Sequence, residues 1–136
     1  MLSPNADTIR LFLHVLAAAV WVGGQIALAG VIPVLRKVAP EATRPVAQAF
    51  AKVAWPAFAV LMVTGLWNIA EVHVTETDSA YQVTLLVKVL VAVLSGAFAA
   101  VHAAGRSKVA VAVGGALGAL CAVAALFLGI LLRASG

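Results

Sequence analysis

The sequence predicts an all-α integral membrane protein, a bundle of four transmembrane helices that forms a single domain over residues 1–136. Hydrophobic residues make up 64% of the chain and charged residues only 10%, a composition far from that of soluble domains. Four apolar runs are each about the ~20 residues that a helix needs to cross ~30 Å of hydrocarbon. These runs predict helices at about 9–35, 50–70, 82–104 and 109–132.

The first run has the features of a transmembrane helix that stays in the mature chain. Asp7 or Thr8 could cap its start, and Pro33 predicts its end close by. The run is longer than the apolar core of a signal peptide, and it lacks a strongly positive flank because Asp7 offsets Arg10. We expect the following stretch, RKVAPEATRP, to be a solvated cytoplasmic link.

The other three helices follow with short connections. Helix 2 is expected to begin as an interfacial segment around residues 48–55, with Pro56 in its first turn or at a kink, and to end around residues 68–71. The polar loop EVHVTETDSAY then leads into helix 3, which begins near Tyr81. A tight GRSK turn precedes helix 4, which runs to Arg133.

The charged residues predict the topology. Basic residues cluster beside the connections after helices 1 and 3: Arg36, Lys37, Arg44, Lys52, Arg106 and Lys108. The loop between helices 2 and 3 is acidic and has no lysine or arginine. The positive-inside rule therefore predicts that both termini and the acidic loop lie outside the cytoplasm. The same clustering of basic residues explains the net charge of +4. We therefore expect the lipid bilayer, and not nucleic acid, as the partner.

Two helices carry a polar stripe. At 100° per residue, Trp21 and Gln25 lie within about 20° of His14 around helix 1, and Tyr81 lies about 20° from Lys88 around helix 3. Polar stripes prefer a bundle interior to lipid, so we expect the two stripes to face one another or a shared cavity. His14 and Lys88 each lie roughly 9 Å below the outer surface. The predicted site is the outward-opening interior between helices 1 and 3, with Trp21 and Tyr81 as walls.

Each of these residues has a structural and a functional interpretation. His14 is either a neutral imidazole bonded to a neighbouring helix or a metal ligand, porphyrin ligand or proton carrier. Lys88 either extends its stem toward the headgroups or pairs with an anionic ligand such as a propionate. Tyr81 and Trp55 are expected to be aromatic-belt anchors at the membrane interface. His102 lies near the cytoplasmic end of helix 3 and is expected to be interfacial.

Small and soft residues offer further alternatives. Gly114 and Gly118 form a G-x-x-x-G spacing on helix 4, which serves either packing within the chain or contact with a second copy or a larger membrane complex. Met62 and Cys121 are soft potential copper ligands, although core packing explains both equally well. Cys121 is the only cysteine, so one chain forms neither a disulfide nor a thiolate cluster.

The motifs of soluble enzymes do not occur in this sequence. It contains no phosphate-binding loop, dinucleotide fingerprint, zinc-protease motif, C-x-x-C pair or nucleophile elbow. The sequence therefore favours a role other than catalysis without deciding the question.

Three stretches carry a resemblance to known families: LHVLAAAVWVGGQIALAGVIPVL, FAKVAWPAFAVLMVTGLWN and YQVTLLVKVLVAVLSGAFAAVH. They resemble the copper-resistance D (CopD-like) membrane domain over about three quarters of the chain. The specific landmarks are His14 with residues 21–24, the stretch 64–66 and the stretch 86–88. The resemblance implies a multi-pass protein of the bacterial inner membrane that binds or passes a copper ion, with His14 and Met62 as candidate metal ligands.

The same landmarks are similar to the four-helix protoporphyrinogen oxidases of the HemJ type. That resemblance implies a b-type haem or another porphyrin, with His14 as the axial ligand and Lys88 as the second essential residue. The sequence thus predicts copper handling as the first function, with a b-type haem or porphyrin-binding redox protein as the alternative and a non-catalytic subunit of a larger membrane complex as a further alternative.

Overall fold

The computed structural model describes all 136 residues and contains four long α-helices and no strands. The helices are α1 (Ala6–Val38), α2 (Pro40–Glu71), α3 (Ser79–Ala104) and α4 (Lys108–Ala134), with a short 3₁₀ helix at Val74–Glu76 between α2 and α3. All four long helices have the length and the apolar composition that crossing a membrane requires. The predicted all-α class with four such helices is confirmed.

The start of α1 is capped by Asn5, not by Asp7 or Thr8 as the sequence suggested. The Asn5 side chain accepts a hydrogen bond from the Thr8 backbone N–H at 2.9 Å, and the Thr8 hydroxyl accepts one from the Asn5 N–H at 3.4 Å. Thr8 therefore belongs to a capping box, in which two otherwise unpaired donors are satisfied reciprocally. At its other end α1 continues through Pro33 to Val38, beyond the expected stop.

The stretch RKVAPEATRP is helical except at Ala39, which corrects the expectation of a link between helices 1 and 2; most of its residues are exposed. The helix α2 begins at Pro40, and Ala39 is the one residue between α1 and α2 without helical structure. Proline at the first helical position loses no hydrogen bond and has its φ angle already set for a helix. An apolar run marks only the part of a helix that lies in hydrocarbon, so it misses such polar extensions.

The chain forms two compact units, each a helical hairpin. Unit 1 is Met1–Val72, which contains α1 and α2, and unit 2 is His73–Gly136, which contains α3 and α4. Both hairpins are antiparallel, since residues early in one helix contact residues late in the next: His14 with Thr64, and His102 with Val111.

Unit 2 is packed through small residues. A Cβ added at Gly114 would lie 2.8 Å from the backbone N of His102 and 2.9 Å from the backbone O of Phe98. The Ser95 side chain, 1% exposed, donates to the Gly118 carbonyl at 3.0 Å. The G-x-x-x-G spacing thus brings α4 close to α3 within one chain. Because α3 covers this face, a homodimer or a larger complex, which stays a prediction, would need a different surface.

Unit 1 is packed through large side chains. Trp21, 3% exposed, has its ring centroid 4.5 Å from that of Phe58 and 5.4 Å from that of Trp55. The Phe50 ring occupies the space that a side chain at Gly24 would fill. Aromatic contacts of this kind fix the rotation of the two helices about their axes.

Candidate functional site

The centre of unit 1 is a hydrogen bond between His14 of α1 and Thr64 of α2. The distance from His14 Nδ1 to Thr64 Oγ1 is 2.8 Å, and Thr64 is 3% exposed. Thr64 Oγ1 also lies 2.7 Å from the carbonyl oxygen of Val60 in the preceding turn. A carbonyl only accepts, and a hydroxyl has one proton, so that proton goes to Val60.

This geometry favours one tautomer of His14. When the Thr64 hydroxyl donates to Val60, its oxygen accepts from His14, and His14 Nδ1 carries the hydrogen that it donates. The neutral ring then has its lone pair on Nε2, the atom with which a histidine in this tautomer binds a metal. A donated Nδ1–H is also the usual arrangement behind a metal-bound imidazole, because it fixes the ring and raises its basicity.

Gly65 lies beside the same ring. A Cβ added at Gly65 would be 3.5 Å from His14 Cε1, so a methyl group would just fit and a longer side chain would crowd the imidazole. Thr64 and Gly65 belong to the stretch that carried the family resemblance. The structure brings this stretch into contact with His14, which belongs to another of the three landmarks.

The Trp21 ring forms a wall two helical turns from His14 on the same face of α1. Its partners are Trp55 and Phe58, whose rings are themselves 5.9 Å apart and nearly perpendicular. Trp55 therefore packs on Trp21, a contact that an aromatic-belt role did not suggest. Gln25, the third member of the polar stripe, donates to the Trp21 carbonyl at 2.9 Å, a bond within its own helix.

Arg10, one turn before the half-buried His14, is a buried charged residue of α1. It is 8% exposed, with Nη1 lying 3.0 Å from Asp7 Oδ1 and 3.7 Å from Glu71 Oε1. Its guanidinium carbon lies 5.8 Å from the ring centroid of Trp67, which donates to Glu71 at 3.1 Å. The end of unit 1 where α1 begins and α2 ends therefore carries a connected polar cluster.

In unit 2, Lys88 is half-buried against Gly129 of α4. A Cβ added at Gly129 would lie 3.3 Å from both Cε and Nζ of Lys88. The missing side chain at position 129 thus makes room for the ammonium group over the α4 backbone. Lys88 contacts the neighbouring helix of its own hairpin at this point.

Tyr81 lines a cleft of about 250 Å³ between the start of α3 and the end of α4. Polar groups of Asp78, Thr84 and Ser135 and apolar groups of Leu131 and Leu132 line the same cleft, together with Ala80. Thr84 is one helical turn from Lys88 on α3, so Tyr81, Thr84 and Lys88 follow one face of the helix, as the sequence indicated.

The predicted site residues fall into two groups. His14 and Trp21 lie in unit 1, and Lys88 and Tyr81 lie in unit 2. A joint site between the two polar stripes stays a prediction. Met62 is two residues from Thr64, about 200° around α2, so it lies away from the side of the helix that meets His14.

The structure contains no group of three or more His, Cys, Asp or Glu side chains placed to hold a metal ion. His102 is engaged in helix pairing: its Nδ1 donates to the Val111 carbonyl at 2.6 Å, and its ring lies where a side chain at Gly115 would be.

Sequence reasoning missed Thr64 as the partner of His14 and Arg10 as a buried residue. Arg10 lies four residues before His14, about 40° away around the helix, so it belongs to the same polar stripe. That spacing was available in the sequence. The pairing with Thr64 was not, because it depends on the register between two helices.

Comparisons of the chain with protein-family models, with curated proteins and with solved structures find no match. The candidate site therefore rests on its own geometry.

Proposed function

We propose that the chain is a multi-pass protein of the bacterial inner membrane that binds haem b through Nε2 of His14. The observation that supports this proposal is the hydrogen bond between His14 Nδ1 and Thr64: with Nδ1–H as its donor, the ring has its lone pair on Nε2. Both termini lie outside the cytoplasm in this proposal, in agreement with the basic connections after α1 and α3.

The number of protein ligands favours haem over a copper ion. A porphyrin supplies four nitrogen ligands of its own, so one axial histidine is enough to attach its iron. A copper ion needs its thiolate, thioether or imidazole ligands from protein. His14 has no histidine, cysteine or carboxylate cluster around it, and Met62 lies on another side of α2.

Lys88 lies in unit 2, and its role as the countercharge for an anionic ligand, such as a propionate, stays a prediction from the sequence. Its ammonium group reaches α4 through the space left at Gly129, which holds the charge inside the hairpin. A bound carboxylate would be a stronger partner for this ammonium group than the α4 backbone, because a charge in hydrocarbon is stabilised best by its opposite.

Copper handling is the second candidate, and the contact between His14 and Thr64 favours it too. Both residues belong to the landmarks that resemble the copper-resistance D domain, and they touch. In this case the remaining copper ligands come from a second copy or from another protein. A non-catalytic role in a larger membrane complex is the third proposal, supported by the absence of enzyme motifs.

The experiment that separates these functions is an optical spectrum with metal analysis of gently extracted protein. Haem predicts a Soret band that disappears in His14→Ala and persists in the control His73→Ala, whose histidine lies in the loop. Thr64→Val should keep the axial ligand but weaken cofactor binding about 10- to 100-fold, since second-shell partners of metal-bound histidines contribute that much. A Soret band of wild-type strength in His14→Ala would refute the proposed site.

The other functions give different results in the same experiment. Stoichiometric copper without a Soret band supports copper handling. Fixed partner subunits that co-purify without either cofactor support the accessory role.

The proposed orientation is tested by cysteine labelling in intact cells, in a Cys121→Ser background. A cysteine at Thr77 should react with an impermeant thiol reagent, and cysteines at Pro40 and Gly105 should react only after the membrane is opened. Labelling of position 105 but not of position 77 in intact cells would reverse the orientation.

A further inference from the structure

The first half of α2 carries three exposed polar side chains on one face of the helix, which we call the Arg44–Lys52 face. Arg44, Gln48 and Lys52 follow one another at intervals of four residues, so they lie within a sector of about 80° around the axis. Thr64, which meets α1, lies at least about 120° from each of them around the same helix. This face is therefore turned away from the partner helix of its own hairpin.

The apolar length of α2 places this face at the level of lipid headgroups. Residues 53–70, between Lys52 and Glu71, contain no charged side chain and span about 27 Å, close to the ~30 Å of hydrocarbon. Headgroups add about 5–8 Å on each side of the hydrocarbon. Gln48 lies about 6 Å beyond Lys52 along the helix axis. The level of Gln48 is therefore that of the phosphates, with Lys52 and Arg44 on either side of it.

The two cations of this face have no carboxylate partner in the chain. The ion pairs of the structure both involve Arg10. Glu41, the acidic residue nearest to Arg44 in the sequence, lies about 60° away around the helix and on the side away from the hydrocarbon. A phosphate at the level of Gln48 would be about 6 Å along the axis from Arg44 and from Lys52, a distance that their long side chains span.

An apolar strip continues from this face into the hydrocarbon. Trp55, 36% exposed, and Val63, 64% exposed, both lie within about 60° of Lys52 around the helix. A tryptophan at the membrane interface with aliphatic side chains beyond it is the surface that the glycerol region and the acyl chains of a lipid contact. The face therefore combines a place for one anionic group with a surface for an apolar tail.

We propose that the Arg44–Lys52 face binds an anionic phospholipid, with its phosphate between Arg44 and Lys52 and its acyl chains along Trp55 and Val63. Charge complementarity favours an anionic lipid over a zwitterionic one, whose phosphate carries its own cation. The Gln48 amide donates a hydrogen bond to the same phosphate. The site lies on unit 1 alone, and it is independent of the cofactor that His14 binds.

The test measures lipid binding to the full chain in neutral detergent by native mass spectrometry. Phosphatidylglycerol should bind about tenfold or more tightly than phosphatidylcholine with the same acyl chains. The double variant Arg44→Gln, Lys52→Gln should weaken phosphatidylglycerol binding about 30-fold, since each cation near an anionic surface contributes about a factor of five. The exchange Arg44→Lys, Lys52→Arg keeps both charges and should retain most of the affinity.

The matched control is the double variant Arg106→Gln, Lys108→Gln, which removes two basic residues beside α3 and α4, helices without a tryptophan. It should leave the affinity for phosphatidylglycerol unchanged. Equal losses in the two glutamine variants would overturn the proposal, because binding would then follow net charge alone. Equal binding of the two lipids to the unaltered chain would overturn it as well.

A competition experiment distinguishes a lipid from a soluble phosphate ester. Glycerophosphoglycerol has the headgroup of phosphatidylglycerol without its acyl chains, so it should not displace the bound lipid at an equal concentration. Displacement would show that the apolar strip contributes nothing, and the site would then be one for soluble phosphate esters, contrary to the proposal.

Discussion

The two hairpins of this protein are built alike but are held together differently. In unit 1 the helices meet through side-chain chemistry: a histidine bonded to a threonine, a buried arginine beside carboxylates, and three aromatic rings in contact. In unit 2 the helices approach closely because Gly114 and Gly118, which have no side chain, are buried against α3. The Ser95 hydroxyl also donates a hydrogen bond to the backbone of α4.

The difference shows where function can be placed. Close backbone packing is efficient in an apolar environment, but it leaves little space and few reactive groups. Packing through polar and aromatic side chains keeps ionisable groups between the helices, where they can bind a ligand. Unit 1 is accordingly the hairpin in which His14 is oriented by a hydrogen-bond partner. The substitutions below compare the packing of unit 1 with that of unit 2.

The largest effect is expected at Trp21. Trp21→Ala removes a ring that is 3% exposed and packed on two other aromatic rings, so it should lower the free energy of unfolding by about 3–5 kcal/mol. Phe12→Ala, in the same helix and 61% exposed, should change it by less than about 0.5 kcal/mol. Detergent-unfolding titrations of the two variants measure both values. Similar losses would mean that the aromatic cluster does not hold unit 1.

The next effect is expected at Gly114. Gly114→Ala adds a methyl group 2.8 Å from a backbone atom of α3, which forces the helices apart and should cost about 1–3 kcal/mol. Gly23→Ala is the matched control, because nothing lies within 4 Å of its added carbon. The control should be neutral or gain up to about 1 kcal/mol from helix propensity. Thermal melts compare the two, and stabilisation by Gly114→Ala would contradict the close packing of unit 2.

A smaller difference in stability is expected between the two variants that remove a hydroxyl group hydrogen-bonded between helices. Thr64→Val removes the acceptor of the His14 Nδ1–H and should cost about 1–2 kcal/mol. Ser95→Ala should cost only about 0.6 kcal/mol, since the Gly118 carbonyl keeps its place in the α4 ladder. The ¹⁵N shifts of the His14 ring should also change in Thr64→Val alone. Equal costs and an unchanged ring would refute the assigned tautomer.

The smallest expected difference concerns the helix caps. Asn5 caps α1 in unit 1 and Ser107 caps α4 in unit 2, each through a side-chain oxygen that accepts a backbone N–H. Asn5→Ala and Ser107→Ala should each cost about 1 kcal/mol. Unequal losses in thermal melts would show that the hairpins differ in their helix ends and not only in their packing.

The number and type of the helices could be predicted from the sequence, because apolar runs of the right length have few other structures available in a membrane. The start of α2 could not, since its first turns are polar and contain two prolines that suggested a link. His14 and Trp21 were identified from their spacing along one helix. Thr64 and Trp55 as their neighbours required the register between helices, which no pattern within a single helix contains.

The connection between α1 and α2 has a practical consequence. Ala39 alone separates two helices of 33 and 32 residues, each about 50 Å long and so longer than the ~30 Å of hydrocarbon in a bilayer. A protease needs several extended residues to cleave a chain, and this turn offers none without unwinding a helix. Epitope tags and reporter fusions should therefore be inserted at residues 105–107, where the backbone is not helical, and the turn at Ala39 should be left intact.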